Sequence, residues 1–164
     1  MRMTRSKSGL WSIPGDRWQS EKGQALVEAA FVLPLLLLMI FVIFDFSLLF
    51  YAYQSMEYGI SEATRYGITG QQRANPSGPG NLTRDESVKL IMRESNPLIT
   101  LADSSFTFEH LSGATWTAGS GGSGEIARVT VNYNWRPITP LIGGLFTGGQ
   151  IPLRVSSTML NEGF

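Results

Sequence analysis

A long apolar run near the N-terminus dominates the hydropathy pattern of the chain. Between Glu28 and Asp45 lie sixteen uncharged residues rich in Leu, Ile, Val and Phe, and the apolar character continues to Tyr53. A helix rises about 1.5 Å per residue, so residues 25–44 span roughly 30 Å, the thickness of a bilayer's hydrocarbon core. The pattern predicts a transmembrane helix over residues 24–53.

The helical pattern continues past the apolar run. Apolar residues recur at helical spacing, with polar residues between them, at Leu49, Phe50, Tyr53, Met56, Ile60 and Ala63. Gly67 and Gly70 supply the stop signal. We therefore predict one helix from Gln24 to about Tyr66, roughly 65 Å long, with a membrane half and an amphipathic half.

A second, shorter helix follows a loop. Residues 68–82 are rich in Gly, Pro and Asn, which predicts a loop. Thr83 and Glu86 have the spacing of a capping box, in which each side chain bonds to the other residue's backbone N–H. The predicted helix turns Val88, Ile91 and Met92 inward and ends before Asn96.

The C-terminal third alternates apolar and polar residues as strands do. One such series is Val129, Val131, Tyr133 and Trp135, and another is Leu153, Val155, Ser157 and Met159. They predict a hairpin closed by residues 137–149, and Phe106 and Phe108 indicate a further strand. The glycine- and serine-rich run 119–124 is typical of a flexible linker. The predicted fold is α+β, with the long helix packed on a small antiparallel sheet of about three strands and one short extra helix.

Charge is distributed unevenly along the chain. Residues 1–23 carry five Lys or Arg against two acidic residues, whereas residues 24–164 carry eight against eleven. By the positive-inside tendency, the N-terminus is expected to stay cytoplasmic and the C-terminal part to be exported. The domain prediction is a leader over 1–23, a transmembrane helix over 24–53 and an exported α+β domain over 54–164. With no cysteine in the sequence, that domain has no disulfide.

An acid one turn inside the apolar run needs a partner. Glu28 costs several kcal/mol in lipid if it is unpaired. Cleavage after Gly23 would release an α-amino group at Gln24, the most obvious cation for that carboxylate. The alternative is an uncleaved signal-anchor, in which the spacing of Gly23 and Glu28 is accidental.

Two further residues interrupt the apolar run. Asp45 lies about 30 Å along the helix from Ala25, which places it near the outer headgroups. It is a candidate intersubunit contact because a half-buried acid benefits from a partner. Pro34 removes one backbone hydrogen bond, and we interpret it as a tolerated membrane proline.

The glycine followed by an acid at the fifth place resembles the processing site of type IV prepilins. A wider combination of segments comprises GQALVEAAFVLPLLLL, IFDFSLLF, a helix ending SEATRYG, a VTVNY strand and a last strand running to TMLNE. This combination resembles the TadE-like pseudopilin family of tight-adherence (Flp) pilus systems. The resemblance implies a type IV pilin-like fold, with Gly23 before the cut, Gln24 as the mature N-terminus and Glu28 as the processing and assembly carboxylate.

The resemblance also implies a role and partners. Gln24 stands where many type IV pilins have Phe, and Ala29 stands where Flp major pilins have Tyr. The implied role is a minor pilin or assembly factor, with no cofactor. The implied partners are a prepilin peptidase, other pseudopilin and Flp pilin subunits, the Tad platform proteins and secretion ATPase, and the lipid bilayer. The implied location is the bacterial cytoplasmic (inner) membrane, with the C-terminal domain exported and the protein a candidate for incorporation in the pilus.

Two other function classes compete with this interpretation. For an enzyme, the chain offers a lone histidine, His110, and no serine elbow, HExxH, Walker loop or useful carboxylate pair, so no catalytic or metal residue is assigned. Scattered cations on the short helix do not predict nucleic-acid binding. The second class is an uncleaved, single-pass binding or adhesion protein, which would use exposed loops. Trp116 remains a candidate for such a loop, whereas Trp135 is predicted to lie in the core.

Overall fold

The computed structural model describes the backbone of residues 17–163 and the side chains of residues 23–163. Within this range the chain divides into two compact units between Phe41 and Val42, and each is described by itself. Residues 1–16, which form most of the predicted leader, lie outside the described residues. The predicted membrane boundary after residue 53 concerns the bilayer and stays a prediction.

The first helix, α1, spans Arg17–Ile68 and is continuous through Pro34. It begins seven residues before the predicted start at Gln24, because the sequence from Arg17 onward has no proline before Pro34 and only Gly23 to weaken a helix. In the part of the chain that the structure describes, the segment Gly23–Ile68 is the one helix long and apolar enough to cross a membrane. The predicted long N-terminal helix is confirmed.

The core of the second unit forms between the later part of α1 and a β-sheet. Met56, Ile60 and Ala63 of α1 are fully buried, at the helical spacing that the sequence predicted. They share one cluster with buried residues of the second helix and of two strands: Val88, Ile91, Met92, Val129, Val131 and Val155. Apolar burial of this kind is the main stabilising term for the domain.

The second helix, α2, spans Arg84–Glu94 and begins with the predicted capping box. The Glu86 N–H donates to Thr83 Oγ1 over 3.3 Å, and the Thr83 N–H donates to the Glu86 carboxylate over 2.9 Å. Val88, Ile91 and Met92 are buried as predicted. Both the start and the inward face of α2 therefore follow from local sequence.

Four antiparallel strands form the sheet, in the order β2-β1-β3-β4. Their bounds are Phe106–Ser112 for β1, Thr115–Ala118 for β2, Ile126–Trp135 for β3 and Ile151–Leu160 for β4. The predicted hairpin is confirmed, since β3 and β4 pair over their whole length with Val131 opposite Val155. The α+β class and the long helix packed on an antiparallel sheet are confirmed as well.

Three features differ from the sequence-based expectations. Strand β2 makes the sheet one strand larger than predicted, and a four-residue helix, α3, lies at Pro140–Gly143 in the β3–β4 connection. The flexible-linker interpretation of residues 119–124 is wrong, because hydrogen bonds hold that run in place. Asn161 Nδ2 donates to Ser120 O and Gly122 O over 2.9 and 2.8 Å, and the Arg84 guanidinium donates to Gly121 O.

Candidate functional site

The residues of the predicted processing motif lie on successive turns of α1. Gln24 and Glu28 are four residues apart, which places them on the same face of the helix. A Cβ built at Gly23 meets no atom within 4 Å. Glycine inside a helix costs roughly 1 kcal/mol relative to alanine, so packing in this chain gives no reason for glycine at position 23.

Glu28 is exposed on an apolar surface. Its neighbours Leu26, Val27 and Phe31 are exposed as well. Among residues 23–163 no hydrogen bond or ion pair satisfies the Glu28 carboxylate. The charge is therefore available for a partner outside this part of the chain.

Asp45, in contrast, already has partners within the second unit. Its side chain is only 3% exposed. Oδ1 accepts the Ile138 N–H over 2.8 Å, and Oδ2 accepts the Thr139 N–H over 3.0 Å. Hydrogen bonds to a charged acceptor are stronger than neutral ones, so these two attach the start of the β3–β4 connection to α1. The predicted intersubunit contact of Asp45 stays a prediction.

An apolar cavity of about 160 Å³ lies beside this contact. Besides Asp45, its lining is almost wholly apolar, with Val42, Phe46, Leu49, Trp135, Ile142, Phe146 and Ile151. Trp135 is buried, as the sequence predicted. The cavity is therefore a gap between apolar side chains of α1 and those of the β3–β4 connection.

The residues considered for other functions have structural contacts. His110 lies on β1, with Nδ1 3.2 Å from Gly119 O and Nε2 3.0 Å from Thr117 Oγ1. The Arg128 guanidinium lies 3.9 Å from the centre of the Trp116 ring, and its Nη2 is 2.7 Å from the Glu109 carboxylate. A cation over a tryptophan face is a stabilising arrangement. No group of three His, Asp or Glu side chains suited to a metal ion occurs between residues 23 and 163.

Sequence reasoning missed the groups that bind Asp45. They are backbone N–H groups of Ile138 and Thr139, more than ninety residues away along the chain. The available signal was an acid inside an apolar run, together with an uncharged stretch from Pro137 to Gly149. Neither feature identifies the other as its partner, since backbone donors carry no sequence signature.

The first helix of the chain is similar to a known protein family. No curated protein and no solved structure matches the chain. A family model described as "TadE-like protein" matches residues 23–65, which run from the glycine of the predicted processing motif to the last turn of α1. This is a pilin-related structural family that is not known for enzymatic activity, and it suggests a Tad pilus-related protein. Over this segment, which is 43 of the 164 residues, the predicted resemblance to the TadE-like family is confirmed, and it is consistent with a pilin-related protein of the tight-adherence system.

Proposed function

We propose that this chain is a minor pilin, or pseudopilin, that takes part in assembly of a tight-adherence pilus after a prepilin peptidase cuts between Gly23 and Gln24. The observation that carries the proposal is the environment of Glu28. Its carboxylate is exposed among apolar side chains, five positions after a glycine whose presence packing does not require. The family match over residues 23–65 supports the same assignment.

Cleavage would give the Glu28 carboxylate a partner of opposite charge. Removing the leader exposes an ammonium group at Gln24, which is a partner of opposite charge for an acid in apolar surroundings. Helices held in a membrane associate through packing and polar contacts rather than through the hydrophobic effect. A Glu28 carboxylate that reaches the ammonium of a neighbouring subunit would therefore favour assembly into a helical bundle.

The proposed setting follows from the same role. The chain sits in the bacterial inner membrane through α1, with residues 1–23 cytoplasmic before processing and residues 54–164 exported. Its partners are the prepilin peptidase, other pseudopilins, the Flp pilin, the Tad platform proteins and the secretion ATPase. An apolar helix suited to a single membrane span supports this placement.

Replacement of Glu28 by glutamine tests the assembly role. Glu28→Gln removes the charge and keeps the shape, so we expect normal membrane insertion but fewer pili and weaker adhesion. The matched control is Glu62→Gln, which changes an exposed glutamate farther along the same helix and should leave piliation unchanged. Piliation and adhesion at the wild-type level in Glu28→Gln would contradict the proposal.

One observation favours the second candidate, an uncleaved membrane-anchored binding or adhesion protein. Helix α1 runs from Arg17 through Gly23 without a break, so the bond to be cut lies inside a helix. A peptidase must unwind that turn before it can cleave. The mass of the protein in cells with and without the prepilin peptidase separates the two candidates, because only the pseudopilin changes mass.

A further inference from the structure

The β3–β4 connection has an unusually apolar exposed surface. From Pro137 to Gly149 it contains no charged residue. Ile138, Leu141 and Leu145 are 73%, 68% and 81% exposed. Large apolar side chains grouped on one short segment indicate a surface that is covered in the working state of a protein.

The part of α1 to which this connection is attached is also apolar and exposed. The Asp45 carboxylate binds the N–H groups of Ile138 and Thr139. Ile43, Phe44 and Phe46, which flank Asp45 in sequence, are exposed. Val42 and Phe46 line the same cavity as Ile142 and Phe146, so the connection and this part of α1 adjoin within the second unit. We call this apolar surface the apolar collar (residues 42–50 and 137–149).

The position of the collar along α1 matches the edge of a bilayer. If the membrane span starts at about Gln24, the helical rise places Asp45 roughly 30 Å farther along, near the outer headgroups. Two exposed arginines lie on either side of the connection in sequence, Arg136 directly after β3 and Arg154 on β4. Guanidinium groups bind phosphate oxygens well, so the charges at the edge of the collar complement phospholipid headgroups.

We propose that the β3–β4 connection inserts into the outer surface of the bilayer, as a second membrane contact beside the transmembrane helix. The inference rests on the transmembrane placement of α1 in the proposed function. Ile138, Leu141 and Leu145 enter the interface between headgroups and acyl chains, where shallow burial of apolar side chains is favourable. The hydrogen bonds that Asp45 accepts from Ile138 and Thr139 hold the connection against the helix, which fixes the domain's orientation at the membrane surface.

Site-specific fluorescent labels test this contact directly. The sequence has no cysteine, so single-cysteine variants of the full chain can each carry one environment-sensitive dye. The test positions are Leu141→Cys and Leu145→Cys. The matched control is Leu98→Cys, because Leu98 is also an exposed leucine. Its near neighbour in sequence, Asn96, packs beside Gly59, and Gly59 lies about 20 Å beyond Asp45 along α1. Ile40→Cys, within the apolar run, reports insertion of the helix itself.

The labelled proteins are reconstituted in phospholipid vesicles that contain lipid-attached quenchers at shallow or deep positions. Ile40 lies about 7 Å below Asp45 along the helix, so we expect its label to be quenched by both quenchers. The Leu141 and Leu145 labels should be quenched by the shallow quencher alone, and the Leu98 label by neither. These responses should persist as the protein is diluted in lipid.

Each other outcome overturns the proposal in a distinguishable way. Quenching at Ile40 with none at Leu141 or Leu145 leaves the membrane helix intact and refutes the second contact. No quenching at Ile40 refutes the membrane placement on which both proposals rest. A dye response at Leu141 and Leu145 that appears only at high protein density assigns the collar to a second copy of the chain instead of lipid.

Discussion

At the scale of single residues, three glycines of α1 have different physical roles. A Cβ at Gly67 would approach Val88 Cγ2 to 2.8 Å, and a Cβ at Gly59 would overlap Asn96 Nδ2. Asn96 is fully buried and fixed, since its Nδ2 donates to Met92 O over 2.8 Å and its Oδ1 accepts from Ser55 Oγ over 2.6 Å. Gly59 and Gly67 therefore let α2 and the turn after it approach α1, whereas Gly23 has open space around it.

Alanine substitutions should separate these roles. Gly59→Ala forces Asn96 or the α2 backbone to move, so we expect it to lower the free energy of unfolding by about 1–3 kcal/mol. Gly23→Ala meets no neighbour and should leave the stability of the folded domain unchanged. The measurement is chemical unfolding of the full chain in detergent, followed by near-UV circular dichroism. An unfolding midpoint for Gly59→Ala equal to that of the wild type would show that the α1–α2 contact is looser than described.

At the scale of elements, charges organise the ends of α2. Hydrogen bonds from the Thr83 backbone and hydroxyl lower the pKa of Glu86 at the start of the helix. Near its end, Arg93 Nη2 lies 2.6 Å from the Asp103 carboxylate, and that hydrogen bond, with the charge of Lys89, lowers the pKa of Asp103. Both carboxylates thus interact with the folded chain more favourably when ionised.

The sign of these shifts predicts a dependence of stability on pH. A carboxylate with a lowered pKa in the folded state adds stability above its unfolded pKa, and that stability is lost as the pH falls through the folded pKa. We expect the urea midpoint to fall between neutral pH and a pH below about 4, the ordinary range of carboxyl pKa values. Glu86→Gln should lower the midpoint at neutral pH and reduce the fall on acidification. A variant with the same fall as the wild type would contradict the assigned role of Glu86.

Local sequence predicted the elements whose determinants are neighbours along the chain. The capping box of Thr83 and Glu86 predicted the start of α2, and the alternation from Val129 to Trp135 predicted β3. Strand β2 was missed because it has only four residues, and its pairing with β1 depends on the turn at Gly113, where φ is +64°. The fixed conformation of residues 119–124 was missed for a related reason, since it depends on hydrogen bonds from Asn161 and Arg84, which are distant in sequence.

In the candidate site, too, contacts between neighbours in sequence were predictable and contacts between distant residues were not. The Gly23, Gln24 and Glu28 motif is contiguous, so the sequence alone was enough to propose it. The attachment of Asp45 to the β3–β4 connection joins residues more than ninety positions apart through backbone donors. Its discovery needed the structure.

At the scale of the whole molecule, α1 belongs to both units and carries two kinds of surface. In the first unit its exposed apolar side chains surround Glu28, and the proposed function assigns this surface to lipid and to neighbouring subunits. In the second unit it supplies Met56, Ile60 and Ala63 to the domain core. The same helix therefore carries the proposed processing motif and part of the core of the second unit.

The proposed removal of the leader between Gly23 and Gln24 would supply an ammonium group for Glu28, whose carboxylate has no partner among residues 23–163. The most direct test is N-terminal sequencing of the protein purified from membranes of cells that contain the prepilin peptidase. We expect the sequence to begin Gln-Ala-Leu-Val-Glu, at Gln24. A protein from those cells that still begins at Met1 would contradict it.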